Sequence, residues 1–469
     1  MTKAQILAAL ALSALAGCAQ TASEHGGAQN IAPAMLADGV TDAVAAPARS
    51  RATRGALLGG GKIQHVVIIF QENRSTDDLF NGLPGADTVT SGSDTGGGHV
   101  NLQRALLTAP FDVDHSHIAF NTAYDGGLMD GFNLETSNCS GGRHACVPEY
   151  LRPYGYVPQT EVQPYFTMAE QYAFGDRMFA SQAGPSFPAH QYIISGTSTI
   201  SQGSSLRASE NPLTPQRKFT GGCDSPKGSL GDAIDESGTE DQEVFPCFDR
   251  PVLMDLLKDQ GMTWRYYQEH RGSALWNGPD AIKHIRYGSQ YKADVVWPPS
   301  EILNDITRGD LATVSWVTPT AAASDHAGHT DGSGPDWVAS VVNAVGESKY
   351  WDSTAIVVTW DDWGGWYDHV KPPQYNSYEL GFRVPLVVIG AYAKSGYVSH
   401  KQHEFGSILK FAEKTLGLGS LGTTDVRADD LADCFNFNQK PRAFTPIQTQ
   451  RGRQYFLTRP VSYEDVDDE

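Results

Sequence analysis

Two stretches of one design, one early and one late, constrain this chain more than anything else in it. Residues 354–360 (TAIVVTW) are a short apolar, β-branched run of the kind that makes a fully buried strand. The run stops at two adjacent carboxylates, Asp361 and Asp362, followed by Gly364-Gly365. Residues 65–70 (HVVIIF) are a second such run, followed at once by Gln71-Glu72-Asn73-Arg74-Ser75. Open α/β sheets build their sites at the carboxyl ends of buried strands. Like charges repel by about 1 kcal/mol at about 4 Å in water and several times more when partly buried. A bare aspartate pair therefore calls for a cation, and a divalent metal is the economical one. Taken alone, the pair also fits a solvated loop; the twin stretch argues against that. Glu72 and Asn73 are candidate ligands, because hard cations prefer carboxylate and carbonyl oxygens. Asn73 also fits a turn residue bonded to backbone.

The rest of the pattern places these strands in a sheet. Helical periodicity predicts helices over 163–173, 251–261, 334–348 and 404–416, with Trp337, Val338, Val341, Val342 and Val345 along one side of the third. Strands are expected over 262–268, 311–317 and 384–389. Alternation of this kind implies an α/β fold with a mostly parallel central sheet covered by helices on both faces. The expected organisation is a single α/β domain over 62–469, with a polar, Gly/Ser-rich surface insertion near 202–245 and an irregular tail from 424. With 469 residues the chain has length enough for several domains, but one large one is equally compatible.

Residues 1–18 (MTKAQILAALALSALAGC) read as an export signal, too short to span a bilayer as a mature helix. Its Leu15-Ala16-Gly17-Cys18 ending resembles a bacterial lipobox, implying cleavage before Cys18 and lipid attachment to its sulfur; a plain secretory signal is the alternative. Residues 19–61, rich in Ala, Gly and Ser/Thr, read as a flexible tether. The protein is thus expected to be exported and held on the bacterial cell envelope, facing the periplasm or exterior. Export permits disulfides: Cys139 and Cys146 make a natural pair, Cys223 and Cys247 a second, which leaves Cys434 as a small buried apolar residue. A net charge of −19 with no Lys/Arg cluster argues against a nucleic-acid partner.

Three further places carry reactive groups. His115 and His117 sit among acids in Asp112-Val113-Asp114-His115-Ser116-His117, and His326 lies in Ser324-Asp325-His326-Ala327. A histidine among acids and turn residues is a candidate for proton transfer. Ser186 stands between Pro185 and Pro188, which restrict its backbone and rule out a regular helix interior. A serine fixed at such a corner is a candidate nucleophile, although it is not in a G-x-S-x-G elbow.

Together HVVIIFQENRS, the DVDHS segment with GGLMDGF, FGDRMFASQAGPSFPAH, SDHA and TAIVVTWDDWGGWYDHVKPP resemble the bacterial phosphoesterase family, whose members include nonhaemolytic-type phospholipases C and a branch of acid phosphatases. The resemblance covers residues 62–420. It implies an alkaline-phosphatase-like core with one metal site at the carboxyl edge of the sheet. By motif, it implies Glu72, Asn73, Ser186, Asp361 and Asp362 as metal ligands, Ser186 as nucleophile, and His115 and His326 near the phosphate. Asn73 and His190 are assigned to substrate binding. Three departures stand out. Asp362 replaces a commoner Glu; Pro188-Ala189-His190 replaces a usual Pro-Asn-Arg; and the chain stops without the C-terminal β-domains of the long phospholipases C.

These residues suit phosphoryl transfer assisted by one divalent cation, with Mg, Mn or Ca favoured by an oxygen donor set. Ser186 becomes transiently phosphorylated, His115 is the acid and His326 the phosphate binder. The expected substrate is a phosphate ester or phospholipid, cleaved in phospholipase C fashion, with the membrane reached through the N-terminal anchor. A phosphatase acting on monoesters is the alternative, favoured by the serine. Trp360, Trp363, Trp366 and Tyr367 fit a lipid approach and core packing equally. A lipid-tethered surface protein with a structural metal, or a metal-free serine hydrolase, would be separated by Ser186→Ala and by a chelator. Oligomeric state has no signature here.

Overall fold

The computed structural model describes residues 56–140 and 146–460; the export signal, Cys18 and most of the tether lie outside them. The described residues fall in one compact unit. Its frame is an eight-stranded sheet. In chain order the strands are β1 (His65–Gln71), β2 (Ala173–Gly175), β3 (Trp264–Tyr267), β4 (Val295–Val296), β5 (Val314–Val317), β6 (Thr354–Trp360), β7 (Leu386–Gly390) and β8 (Tyr397–Ser399). They lie side by side in the order β4-β3-β5-β1-β6-β7-β2-β8. Only β7 runs against the others, antiparallel to both β6 and β2; every other pairing is parallel. The sheet is therefore mixed, and mostly parallel as expected.

The centre of the sheet is apolar on both sides because both sides are covered. All seven residues of β6 are buried, and β1 is buried from Val66 onward. Alternation sends Ile68 and Phe70 one way and Gln71 the other. Phe70 meets Phe405 at the start of α5 and His190 on α2, where α2 is Ser186–Ser195 and α5 is Phe405–Leu416. On the opposite side Trp360, the register partner of Gln71, packs edge-on against Tyr165 of α1 (Gln163–Gln171), next to α4 (Gly334–Gly346). The remaining helix of the periodic set, α3, is Leu253–Asp259.

Register fixes where the reactive ends fall. His65 pairs with Thr354 and Gln71 with Trp360, so β1 and β6 finish level, and Glu72 and Asp361 leave the same edge side by side.

Several expectations change. Ser186 is not at an isolated corner but is the first residue of α2. Pro188 is tolerated because it lies in the first turn, where its missing N–H has no intrahelical partner to lose. The insertion is less of a surface excursion than its composition suggests. It forms a three-stranded sheet of Arg207–Ala208, Gly231–Ile234 and Gln242–Val244, with Ala208, Ala233 and Ile234 buried. The tail buries Leu431, Phe435, Ile447 and Phe456. The described residues ahead of 62 include a 3-10 turn at Leu58–Gly61. Disulfides join Cys139 to Cys146 and Cys223 to Cys247, and Cys434 is a buried free thiol. Trp360, Trp363 and Trp366 are fully buried, so these aromatics belong to the core. No helix among the described residues is long and apolar enough to cross a membrane.

Candidate active site

Glu72 and Asn73 follow β1, and Asp361 and Asp362 follow the neighbouring β6; all four are fully buried. Asp361 Oδ1 accepts the backbone N–H of Asn73 at 2.9 Å and that of Asp362 at 2.8 Å. Asp362 Oδ1 accepts from the Gly364 N–H at 2.7 Å. The Asp361 bond to Asn73 ties the two strand ends together, and the bond from Gly364 to Asp362 closes the turn after β6. Asn73 pays for the turn with a left-handed backbone, φ 60°, a conformation that asparagine tolerates better than most residues. The glycine pair allows the close approach: a Cβ on Gly364 would stand 2.4 Å from the Asn73 carbonyl oxygen.

The helix α2 brings in two more groups. Ser186 Oγ donates to Glu72 Oε2 at 3.4 Å, and His190 Nε2 lies 3.2 Å from Glu72 Oε1. Four residues apart, they leave one face of the helix. His190 Nδ1 is 3.2 Å from the hydroxyl of Tyr266 on β3. Burial pushes the His190 pKa down to about 4 against the pull of Asp361.

On the other side of Asn73, its Nδ2 donates to His115 Nε2 at 2.8 Å, while His115 Nδ1 donates to the Val113 carbonyl at 2.8 Å. The carbonyl can only accept, so the neutral ring carries its proton on Nδ1. His326 stands beside His115, with ring centres 5.8 Å apart, and its Nδ1 donates to the Ala327 carbonyl at 2.8 Å. His117 is turned away to Glu240, 3.0 Å distant.

Donor atoms of Glu72, His190 and Asp361 lie within 4.8 Å of one another. Asn73 Oδ1 and Asp361 Oδ2 are buried with no hydrogen-bond partner, which is costly unless something cationic satisfies them. The residues present therefore fit a divalent cation. A second acidic group, Asp77 with Asp368 and His369, already has its cation: Arg383 donates to Asp368 Oδ1 at 2.8 Å and to Asp77 Oδ2 at 3.3 Å.

Sequence reasoning passed over four residues around this centre. Arg74 is fully buried, donating to the Asp325 and Leu107 carbonyls and pairing with Asp78 at 3.1 Å. Asp325 accepts from Tyr165 and Trp360 at 2.7 and 2.9 Å, and burial pushes its pKa up to about 6. Glu135 is buried near His115 and Asp114, and burial raises its pKa well above the usual carboxylate range. Tyr266 sits mid-strand. Arg74 and Asp325 lie inside the quoted motifs; for Glu135 and Tyr266 the sequence holds no signal beyond composition.

The sheet and the acid, serine and histidine cluster on its carboxyl edge define an α/β protein with a hydrolase-like polar centre. Within that class the chain belongs to the Phosphoesterase family, whose model matches residues 63–419. It is 24% identical to the non-hemolytic phospholipase C of Pseudomonas aeruginosa over 90% of this chain and 63% of that protein. It thus spans less than two thirds of that relative's length. It is 22% identical to phospholipase C A of Mycobacterium tuberculosis, over 82% of this chain and 79% of the relative. Among solved structures, an alkaline phosphatase superfamily protein from Vibrio parahaemolyticus aligns over 79% of this chain and 70% of its own, with a TM-score of 0.36 and 12% identity.

Proposed function

We propose that the chain is a metal-dependent phosphoric ester hydrolase that works through a phosphoseryl intermediate and cleaves phosphodiester lipid headgroups as a phospholipase C does. The observation that carries this reading is the contact of Ser186 Oγ with Glu72 Oε2 at 3.4 Å, a hydroxyl set inside a buried carboxylate cluster. Glu72, Asn73, Asp361 and Asp362 would hold a divalent cation, which would supply Lewis-acid stabilisation of negative charge at the serine oxygen and the phosphoryl group. Ser186 Oγ attacks phosphorus from the first turn of α2, its proton passing to the Glu72 carboxylate to which it donates. Asn73 Nδ2 donates toward the site, where charge is redistributed in the transition state. Both histidines act as doubly protonated rings: His115, oriented by its bond to Val113, gives its Nε2 proton to the leaving alcohol once the Asn73 amide has released that nitrogen, and His326, its Nδ1 bonded to the Ala327 carbonyl, donates from Nε2 to a phosphoryl oxygen. Water then releases phosphate or a phosphomonoester from the serine.

Support for a lipid substrate comes from the relatives and from the surface beyond His115. Ile118, Leu128 and Leu134 are 71%, 70% and 58% exposed within that stretch, three apolar side chains of the kind that enter a lipid interface. The serine favours a second reading, hydrolysis of phosphomonoesters. The lipobox supports export and anchoring through Cys18, which Cys18→Ser would release into the soluble fraction.

The test is a panel of p-nitrophenyl phosphate, bis-p-nitrophenyl phosphate and phosphatidylcholine, with and without chelator. Diester and lipid cleavage abolished by chelator and by Ser186→Ala is the expected result. Monoester turnover alone moves the chain to the phosphatase reading. A metal-loaded protein that hydrolyses none of the three leaves a structural metal module.

A further inference from the structure

Protons decide what His190 is doing beside Glu72. Tyr266 gives its single hydroxyl proton to the Trp276 carbonyl, 2.6 Å away. Its oxygen therefore faces His190 Nδ1, 3.2 Å away, as an acceptor. Nδ1 carries the hydrogen of the neutral ring, and Nε2 turns a lone pair toward Glu72 Oε1 at 3.2 Å. Two acceptors at that separation repel unless a positive charge lies between them. Neighbouring ligands each about 2.1 Å from one ion stand about 3.0 Å apart at a right angle, close to the spacing seen. Asp361 supplies the third acceptor, its donor atom within 4.8 Å of the other two. The ring is also held against drift, since Trp276 stacks on it with centres 6.3 Å apart and Phe70 tilts against it at 6.0 Å.

We propose that His190 is a nitrogen ligand of the metal centre and that it biases the site toward a first-row transition cation such as zinc over magnesium or calcium. The inference deepens the metal-dependent reading above and rests on it. Magnesium and calcium take oxygen ligands almost exclusively, whereas imidazole suits zinc and its neighbours. An all-oxygen set would leave magnesium, manganese and calcium equally welcome; one imidazole among carboxylates breaks that parity. Tyr266 is the positioning residue, because the bond it accepts from Nδ1 keeps Nε2 free of a proton. A proton shared between Glu72 and His190 is the competing occupant of the gap.

The test uses the mature protein, its His190→Gln and Tyr266→Phe variants, stripped by chelator and equilibrated with equal zinc, manganese, magnesium and calcium. Metal per chain is counted by plasma mass spectrometry after gel filtration, and the histidine nitrogens are followed by NMR on ¹⁵N-labelled wild type with and without zinc. Wild type is expected to retain zinc in preference to magnesium and calcium. His190→Gln should weaken zinc binding about tenfold or more and Tyr266→Phe by a smaller factor, with the His190 Nε2 resonance shifting on zinc addition. Unchanged zinc retention in His190→Gln, or a His190 Nε2 resonance unmoved by zinc, overturns the proposal. The second reading is on wild type, so it stands even if a variant fails to fold. Hydrolysis that remains chelator-sensitive in that event keeps the metal-dependent enzyme while removing His190 from its ligands. Hydrolysis that ignores chelator removes both.

Discussion

Asn73 donates its backbone N–H to Asp361 Oδ1 across 2.9 Å, so the two strand ends that carry the acidic cluster are fastened to each other by the cluster itself. Fold and site are therefore one construction at this point. The glycines after Asp362 are part of it, because the chain must pass within van der Waals distance of Asn73 to bring both aspartates in.

Gly364→Ala tests that closeness. A methyl there would meet the Asn73 carbonyl oxygen at 2.4 Å, at a backbone φ of +60°. Gly261 has a similar φ of +67° with nothing within 4 Å, so Gly261→Ala measures the backbone term alone, about 1 kcal/mol. Gly364→Ala should lose about 2–4 kcal/mol by denaturant unfolding and most hydrolysis of bis-p-nitrophenyl phosphate. Equal losses in the two variants would show that the approach to Asn73 is not tight.

A general acid matters in proportion to how poor its leaving group is. His115→Gln should slow release of an alkyl alcohol from a phosphodiester by about 10²–10⁴-fold. With p-nitrophenol, which leaves without a proton, the loss should be far smaller. The same substitution breaks the bond from Asn73 Nδ2, so a uniform loss across both leaving groups would assign His115 to positioning Asn73 instead.

The buried ion network behind residues 366–370 should be unforgiving. Arg383 is fully buried and bridges Asp368 and Asp77, which are also fully buried. Arg383→Met takes the cation from Asp368 and leaves Asp77 with only His369, 2.6 Å away, and is expected to cost about 3–5 kcal/mol. Adding Asp368→Asn removes one stranded charge and should recover part of that loss. No recovery in the double variant would mean that lost packing, not unpaired charge, dominates.

How much of this was legible beforehand depended on whether a residue's role is local. Strands such as β6 announce themselves, because a strand buried on both faces must be apolar throughout, and Asp361 and Asp362 break that run at its exit. Ser186 stood out by its prolines and by the resemblance, yet its place at the head of a helix did not, since Pro188 reads as a breaker unless it falls in a first turn. The contact of His190 with Glu72 depends on two segments 118 residues apart and on the proton direction at Tyr266, neither of which has a local signature. The insertion was misread for a related reason: Gly and Ser dominate its composition, while the few residues that bury it, such as Ala233 and Ile234, are scattered. The tail looked irregular because it packs by single side chains such as Phe435 and Ile447 instead of by a periodic face.

A last prediction concerns pH and a histidine outside the candidate site. His284 Nε2 is 3.0 Å from Asp255 and Nδ1 is 2.5 Å from Asp249. The bond to Asp255 raises its pKa most, against partial burial and with help from Asp249, to about 9. The folded state thus holds this proton more tightly than the unfolded chain, whose histidine titrates near 6.5. The sign follows: the stabilisation is complete below about pH 6.5 and is lost as pH rises through about 9. Because the ring is 37% exposed, solvent screening limits the effect to about 1 kcal/mol or less. His284→Gln should therefore be less stable than wild type at pH 6 by up to that amount and indistinguishable from it at pH 10, measured by urea unfolding at both. A difference that persists at pH 10 would assign the histidine's contribution to packing and neutral hydrogen bonds, with the aspartates contributing no charge pairing.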